Sequence, residues 1–301
     1  MQFPISNFQF PIFDRDGYHT PVSPPQRPGS EPPVIAALRD LRDSQPDLAP
    51  AIDLQTELAQ VSRRIAARAP LPALASIETR QARIASGQRV LSFPDFRFEW
   101  SDVRLALRET ARALEAVGAI AADDAVDIAG LVRGETSALE RCVARWFNGD
   151  LEARPGEQTF TEGLHEVFDT ALRPFLARAA SAALTGLDLA AWERATCPAC
   201  GSDPDFAVIG KDGRRNLSCH RCRTQWPWHA WACPRCNNAA RETISSFASR
   251  DGFYRIYACG KCGRYLKAFD CRTATRPFMP EVDLIATLPL DAAAIGKGFT
   301  T

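Results

Sequence analysis

Apolar residues return every three or four positions between residues 34 and 190, the period of helices that each turn one face to a core. Val34, Leu38 and Leu41 share a face, and Pro46 ends that segment. Leu54, Leu58, Val61 and Ile65 repeat the pattern until Pro70 and Pro72 stop it. Val103, Leu107, Leu114 and Val117 predict a third helix, with Ser101 as its N-cap and Gly118 near its end. Leu139, Val143 and Trp146 predict another. Phe160, Leu164, Phe168, Leu172 and Phe175 predict one more, which Pro174 should kink or divide. Cys142 lies beside an apolar stripe and reads as a packed core thiol. His165 stands on its helix without the companions a metal ligand needs, which favours a structural role.

Both flanks of this helical stretch differ from it. Residues 1–33 hold phenylalanines at 3, 8, 10 and 13 and then Pro21, Pro24, Pro25, Pro28, Pro32 and Pro33. That tract predicts an extended or disordered segment, its phenylalanines docking on the body of the same protein rather than on a partner. After residue 190 helix formers thin out, while cysteines, aromatics and arginines crowd in. The shift marks a domain boundary.

Eight of the ten cysteines fall in four C-x2-C pairs within 66 residues. Residues 197–226 and 233–265 form an internal repeat. Each copy opens on Cys-Pro-x-Cys, at Cys197/Cys200 and Cys233/Cys236, and continues into a strand-like run, FAVIG or ETISSFAS. Asp212-Gly213 and Asp251-Gly252 then predict hairpin turns. The return strands, RRNLS and FYRIYA, lead into Cys219/Cys222 and Cys259/Cys262. Spacings of C-x2-C-x18-C-x2-C and C-x2-C-x22-C-x2-C lie within, and slightly beyond, the zinc-ribbon range.

The spacing has a physical rationale. Two cysteines three apart on a tight knuckle aim both sulfurs at one point, and Gly201 and Gly263 allow the backbone angles that such turns demand. The hairpin then returns a second knuckle, giving four thiolates around one tetrahedral ion. A ribbon this small buries too little apolar surface to fold alone, so the metal supplies much of its stability. The expectation is two closed sites, Cys197, Cys200, Cys219 and Cys222 in one and Cys233, Cys236, Cys259 and Cys262 in the other. Crossed ligation, joining Cys219/Cys222 to Cys233/Cys236, leaves a much shorter loop and breaks the repeat. Tetrahedral sulfur suits zinc or iron alike. His220, inside CHRC, is an alternative ligand, with a solvent-facing side chain the preferred reading. Cys271 has no pair and reads as a buried or incidental cysteine.

Composition narrows the classes. With 36 Lys and Arg against 36 Asp and Glu, no global charge points to nucleic acid. No apolar run approaches the roughly 20 residues of a membrane span, and the N-terminus has no basic n-region, apolar core or twin arginine. A cytoplasmic location, without membrane insertion, is expected. Thiols there stay reduced, which favours metal ligands over disulfides. Residues 197–272 carry 13 Lys and Arg against 6 Asp and Glu, but two divalent ions in four thiolates each, at −2 per site, reduce that excess. Trp226, Trp228 and Trp231 could stack on bases, though thin ribbon cores use tryptophan as readily. Four protein ligands close a site that catalysis would need open, so no enzyme is expected.

CPACGS with Trp192 five residues before Cys197, then LSCHRCRTQW, CPRC, CGKCGRYLKAFD and DLIATLPLDAAAIGKGF, in that order, resemble the formate dehydrogenase accessory family FdhE. The resemblance is dense over 192–299. In the N-terminal half it rests on helical character and the ALRPFLARAA stretch. It implies an α+β fold: an N-terminal α-helical domain followed by two rubredoxin-like or zinc-ribbon metal-binding modules. The divisions are 1–33, 34–190, 191–230, 231–272 and a tail, 273–301. It further implies a helper, or chaperone, that binds the catalytic subunit of a molybdenum- or tungsten-dependent respiratory formate dehydrogenase before export or assembly. Iron is the metal associated with the family, with zinc the alternative, and the eight paired cysteines match its ligands. Tyr265, Lys267, Asp283, Asp291 and Phe299 match recurring positions, for which partner-facing or packing roles are expected. Asn237 in place of a knuckle glycine, Pro289 in the tail and the phenylalanine-rich N-terminus depart from the pattern. A rubredoxin-type electron carrier and a nucleic-acid-binding zinc ribbon are the competing functions; the large helical body favours the chaperone.

Overall fold

The computed structural model describes residues 31–152 and 156–301. The phenylalanine-rich stretch and most of the proline tract therefore lie outside the described residues. The helical part comprises α1 (Pro33–Ser44), α2 (Ala49–Ala66), α3 (Ile77–Ala85), α4 (Trp100–Ala116), α5 (Ala122–Arg133), α6 (Thr136–Asn148) and α7 (Glu162–Leu184). The periodic apolar positions point inward: Leu58, Val61 and Ile65 of α2, Val103, Leu107 and Leu114 of α4, and Leu139, Val143 and Trp146 of α6 are all buried.

Four local expectations need correction. Helix α4 begins at Trp100, with Glu99 and not Ser101 at the N-cap position. Trp100 packs on Phe98 with ring centroids 5.5 Å apart, so aromatic packing fixes the entry where a serine cap was expected. Val117 lies just past the end of α4 and is 53% exposed. Phe160 precedes α7, whose N-cap is Thr161, its hydroxyl accepting from the Leu164 amide at 3.0 Å. Helix α7 is also not divided at Pro174, which lies inside it. Its flanking residues Leu172, Phe175 and Leu176 are buried, and tertiary packing of this kind holds a helix that has lost one backbone donor.

The C-terminal part holds β1 (Pro204–Ile209), β2 (Arg215–Cys219), β3 (Gln225–Trp228), β4 (Ile244–Ala248), β5 (Tyr254–Cys259) and β6 (Tyr265–Asp270), then α8 (Pro280–Ala286) and α9 (Leu288–Ile295). Both expected hairpins form, and Gly213 and Gly252 turn at φ +80° and +75°. The two cysteine repeats are three-stranded ribbons fused into one sheet, of order β3-β2-β1-β6-β5-β4. The join is the parallel pair β1·β6, with Phe206 opposite Lys267 and Ile209 opposite Asp270. Pro227 sits in β3, an edge strand, where its missing N–H breaks no central ladder.

The helices and the first ribbon share one core. Trp146, Phe168, Leu172 and Leu176 belong to the same buried cluster as Cys197, Cys200, Cys219, Cys222 and Trp226. The tail returns to the body: Val282 of α8 joins Leu38, Ile52 and Ala59 in a second cluster. Pro289 is the second residue of α9 and lies in its first turn, where it does not break the helix. Thr287 is at once the last cap of α8 and the first of α9, and proline suits the first turn of a helix. No helix among the described residues is long and apolar enough to cross a membrane.

Candidate metal centres

Each of the four C-x2-C pairs closes the same backbone turn. The amide that follows the second cysteine donates to the carbonyl of the first, at 2.9 Å for Gly201, 3.1 Å for Arg223, 2.9 Å for Asn237 and 2.9 Å for Gly263. The first cysteine's amide donates back to the residue after that: Cys197 to Ser202, Cys219 to Thr224, Cys233 to Asn238 and Cys259 to Arg264. The turn needs a left-handed residue behind the second cysteine. Gly201 and Gly263 supply it at φ +82° and +70°, but Arg223 and Asn237 adopt φ +61° and +53° at the same place. Asparagine tolerates that region, so its replacement of a glycine leaves the knuckle intact.

The knuckles meet in the uncrossed pairing. Cys197, Cys200, Cys219 and Cys222 gather their sulfurs within 4.8 Å of one another, as do Cys233, Cys236, Cys259 and Cys262. In the first group Cys197 and Cys222 are 3.5 Å apart, as are Cys200 and Cys219. In the second, Cys233–Cys262 and Cys236–Cys259 are both 3.7 Å. These are not disulfides, whose sulfurs lie about 2.05 Å apart. A regular tetrahedron with metal–sulfur bonds of about 2.3 Å has sulfurs about 3.8 Å apart. The donor set therefore fits two tetrahedral ions, and sulfur alone does not choose between zinc and iron.

The environments of the thiols differ within each group. Burial pushes the Cys197 thiol well up, whereas hydrogen bonds with Cys197, Cys200, Cys219 and Thr224 hold Cys222 well down against that same burial. In the second group burial pushes Cys233 up to about 12. Cys259 comes down to about 7, the amides of Cys262 and Lys261 overcoming the effect of burial.

The two groups sit differently in the fold. All four cysteines of the first are buried, whereas Cys236 and Cys262 of the second are partly exposed. The helical body also grips the first group directly. The amides of Val90 and Leu91 donate to the carbonyls of Pro198 and Ala199 at 2.8 and 3.0 Å, and Arg89 Nη1 donates to the Cys200 carbonyl at 3.1 Å. From the other side, α7 presents Asp169. Its carboxylate accepts from His220 Nε2 at 2.6 Å, Arg221 Nε at 2.8 Å and Trp146 Nε1 at 2.9 Å. Arg221 lies over the Trp146 ring, 4.4 Å from its centroid, and donates to His165 Nε2 at 3.0 Å.

His220 lies outside both cysteine groups, and its half-buried side chain is held by Asp169 instead of standing free in solvent. It faces the body because the knuckle that carries it does, and Ser202 Oγ lies 3.3 Å from its Nδ1. His165 takes the structural role expected of it, with Arg221 as the companion that sequence did not reveal. Trp226 and Trp228 are buried in the core, and Trp231 carries Arg241 at 4.6 Å from its ring centroid. Cys142 is buried, and burial pushes its thiol up to about 12. Cys271 is half-buried beside the Phe206–Tyr254–Phe269 cluster.

The five recurring positions outside the cysteines hold the tail against the second ribbon. Asp291 of α9 accepts from Tyr265 Oη at 2.7 Å and Lys267 Nζ at 2.6 Å, both from β6. Asp283 of α8, fully buried, accepts from Tyr254 Oη at 2.6 Å, from Arg276 and from the Met279 amide at 2.7 Å. Phe299 packs against the buried cluster formed by Ile256, Ala258, Tyr265 and Ala294. Of the two roles expected for these residues, packing is the one that their geometry accounts for. Thr300 completes the strap, exchanging backbone hydrogen bonds of 2.9 Å with Gly263 and Tyr265 beside Cys262.

No family model matches the chain. An FdhE homologue from Haemophilus ducreyi is 34% identical over 111 residues, so that the match spans 36% of this chain and 36% of that protein. A homologue from Actinobacillus pleuropneumoniae serotype 3 is 26% identical over 270 residues, 87% of this chain and 83% of that protein. The crystal structure of the FdhE protein from Pseudomonas aeruginosa has the same fold, with a TM-score of 0.61 and 20% identity over 88% of this chain and 91% of that one.

Proposed function

We propose that this chain, a member of the FdhE family, is an accessory protein that binds the catalytic subunit of a respiratory formate dehydrogenase in the cytoplasm during its maturation. The observation that carries this reading is relatedness to an FdhE homologue over 270 residues, which takes in the helical body as well as the ribbons. Conserving both parts suits a protein that acts as one shaped surface better than an electron carrier, which needs only a ribbon.

The eight paired cysteines are the proposed ligands of two ions, iron or zinc. An ion bound by four thiolates ties the two knuckles of a ribbon together and contributes directly to its folding free energy. With all four positions taken by protein, no ligand place is left for a substrate, so the proposed activity is binding without turnover. Asp169, His220 and Arg221 carry the order of the first centre into the helical body, and the tail carries that of the second back to α1 and α2.

A strain of the host lacking this gene tests the reading. It should lose respiratory formate dehydrogenase activity and regain it when the full chain is supplied. Undiminished activity in the deleted strain would remove the accessory role.

A further inference from the structure

Arg215, the first residue of β2, is 4% exposed. Its Nη1 donates to the carbonyls of Ala230 and Ala232, both at 3.3 Å, and its guanidinium carbon lies 4.5 Å from the centroid of the Tyr257 ring. Nε and Nη2 are buried with no hydrogen-bond partner among the described residues. Among the described residues no carboxylate lines the cavity beside it. That cavity, about 10 Å³ or the size of one water, is lined by Arg215, Tyr257 and two cysteines of the second group, Cys233 and Cys259, and also by Arg235 and Arg264, which are bound elsewhere, Arg235 to Asp203 and Arg264 to the Thr301 carbonyl.

A buried cation without an opposing charge is strongly unfavourable. Two arginines of the first ribbon's second knuckle are answered by carboxylates: Arg221 by Asp169 and Arg223 by Asp205 at 2.7 Å. Burial pushes the Arg215 guanidinium down to about 10, with Tyr257 and Cys233 holding it up. A divalent ion in four thiolates carries a net charge of −2, and at the second group that charge would lie across the cavity from Arg215.

We propose that Arg215, contributed by the first ribbon, is the buried counter-cation of the second four-cysteine centre and raises that centre's affinity for its ion. The inference rests on the metal-binding reading of the cysteines. It makes the two centres unequal: the arginines of the first centre's second knuckle are already paired with carboxylates, whereas the second centre receives an unpaired arginine lent from its neighbour. It also gives the parallel β1·β6 join a purpose, because the join fixes the first ribbon against the second.

Cobalt(II) added to the full-length, reduced, metal-stripped protein gives a thiolate-to-metal absorption band that counts tetrahedral centres, and a competing chelator ranks their affinities. Wild-type protein should take two equivalents. In Arg215→Met one equivalent should hold as in wild type, while the other weakens by roughly tenfold or more. Comparison with Cys236→Ser, which keeps only the first centre, identifies the weakened one as the second. Arg215→Lys, which keeps the charge, should recover most of the affinity, and it alone decides the matter if Arg215→Met does not fold. Two equivalents as tight in Arg215→Met as in wild type, or Arg215→Lys as weak as Arg215→Met, would overturn the counter-cation role. Fewer than two thiolate-bound cobalt ions in the wild-type protein would instead remove the metal-binding reading beneath it.

Discussion

The Nε of Arg221, from the CHRC knuckle of the first ribbon, donates to Asp169 of α7 at 2.8 Å, with both side chains about nine-tenths buried. The bond joins a candidate ligand loop to the longest helix of the body. Replacing Asp169 by alanine leaves Arg221 buried and uncompensated and releases His220 and Trp146 as well. Breaking a buried pair in this way costs about 3–5 kcal/mol, so Asp169→Ala should unfold at markedly lower urea than wild type. A midpoint within error of wild type would mean that the ribbon is not held by this carboxylate.

The same asymmetry predicts the order of metal loss. The first group is sealed in the core, while Cys236 and Cys262 reach the surface. Challenged with excess chelator, the metal-loaded protein should release one equivalent quickly and the second far more slowly. Cys236→Ser should abolish the fast phase and Cys200→Ser the slow one. Release of both ions in a single phase would show that burial does not govern access.

Asp270 supplies a pH dependence with a definite sign. Burial alone would raise its pKa, but hydrogen bonds from Arg272 and Arg255 bring it below the usual aspartate value. A depressed folded-state pKa contributes stability that is present above the unfolded value, near 3.9. That stability is lost as pH falls through the folded one. Asp270→Asn should therefore be less stable than wild type at pH 7, by roughly 1–3 kcal/mol, and the gap should close on acidification below pH 4. A gap that stays constant from pH 7 to pH 3 would show that ionisation of Asp270 is not its source.

Asn237 stands at φ +53° and is exposed. Glycine there should be tolerated within a few tenths of a kcal/mol. Asn237→Val, β-branched in the left-handed region, should destabilise the second ribbon by about 1–2 kcal/mol. Chemical denaturation of the three proteins side by side distinguishes them, and equal midpoints for valine and glycine would show that the knuckle does not depend on that conformation.

The cysteine repeat made the ribbons legible, because ligand spacing and Asp-Gly turns are local signals. The strongly periodic helices were legible for the same reason. Helix α3 was not: IETRQARIA buries only Ile84, and its mark is the Ser76 cap accepting from the Thr79 amide at 3.3 Å. Strands β3 and β6 follow the second knuckles too closely to stand out as separate runs, although the alternating aromatics of QWPW and YLKAFD were a usable cue. Sequence could not reveal that the ribbons fuse through β1·β6, since that pairing joins residues about sixty positions apart. Nor could it match Asp169 to Arg221, or Asp291 to Tyr265 and Lys267. Those partners are chosen by the packing of helices against the sheet, which no local pattern encodes.

The most direct test of the accessory role is affinity capture of the tagged full-length chain from its own host, grown on formate under respiratory conditions, with the eluate identified by mass spectrometry. The account predicts enrichment of a formate dehydrogenase catalytic subunit over an untagged control, and loss of that enrichment when both cysteine groups are substituted. Capture of a redox reductase or of nucleic-acid machinery in its place, with no catalytic subunit, would contradict it.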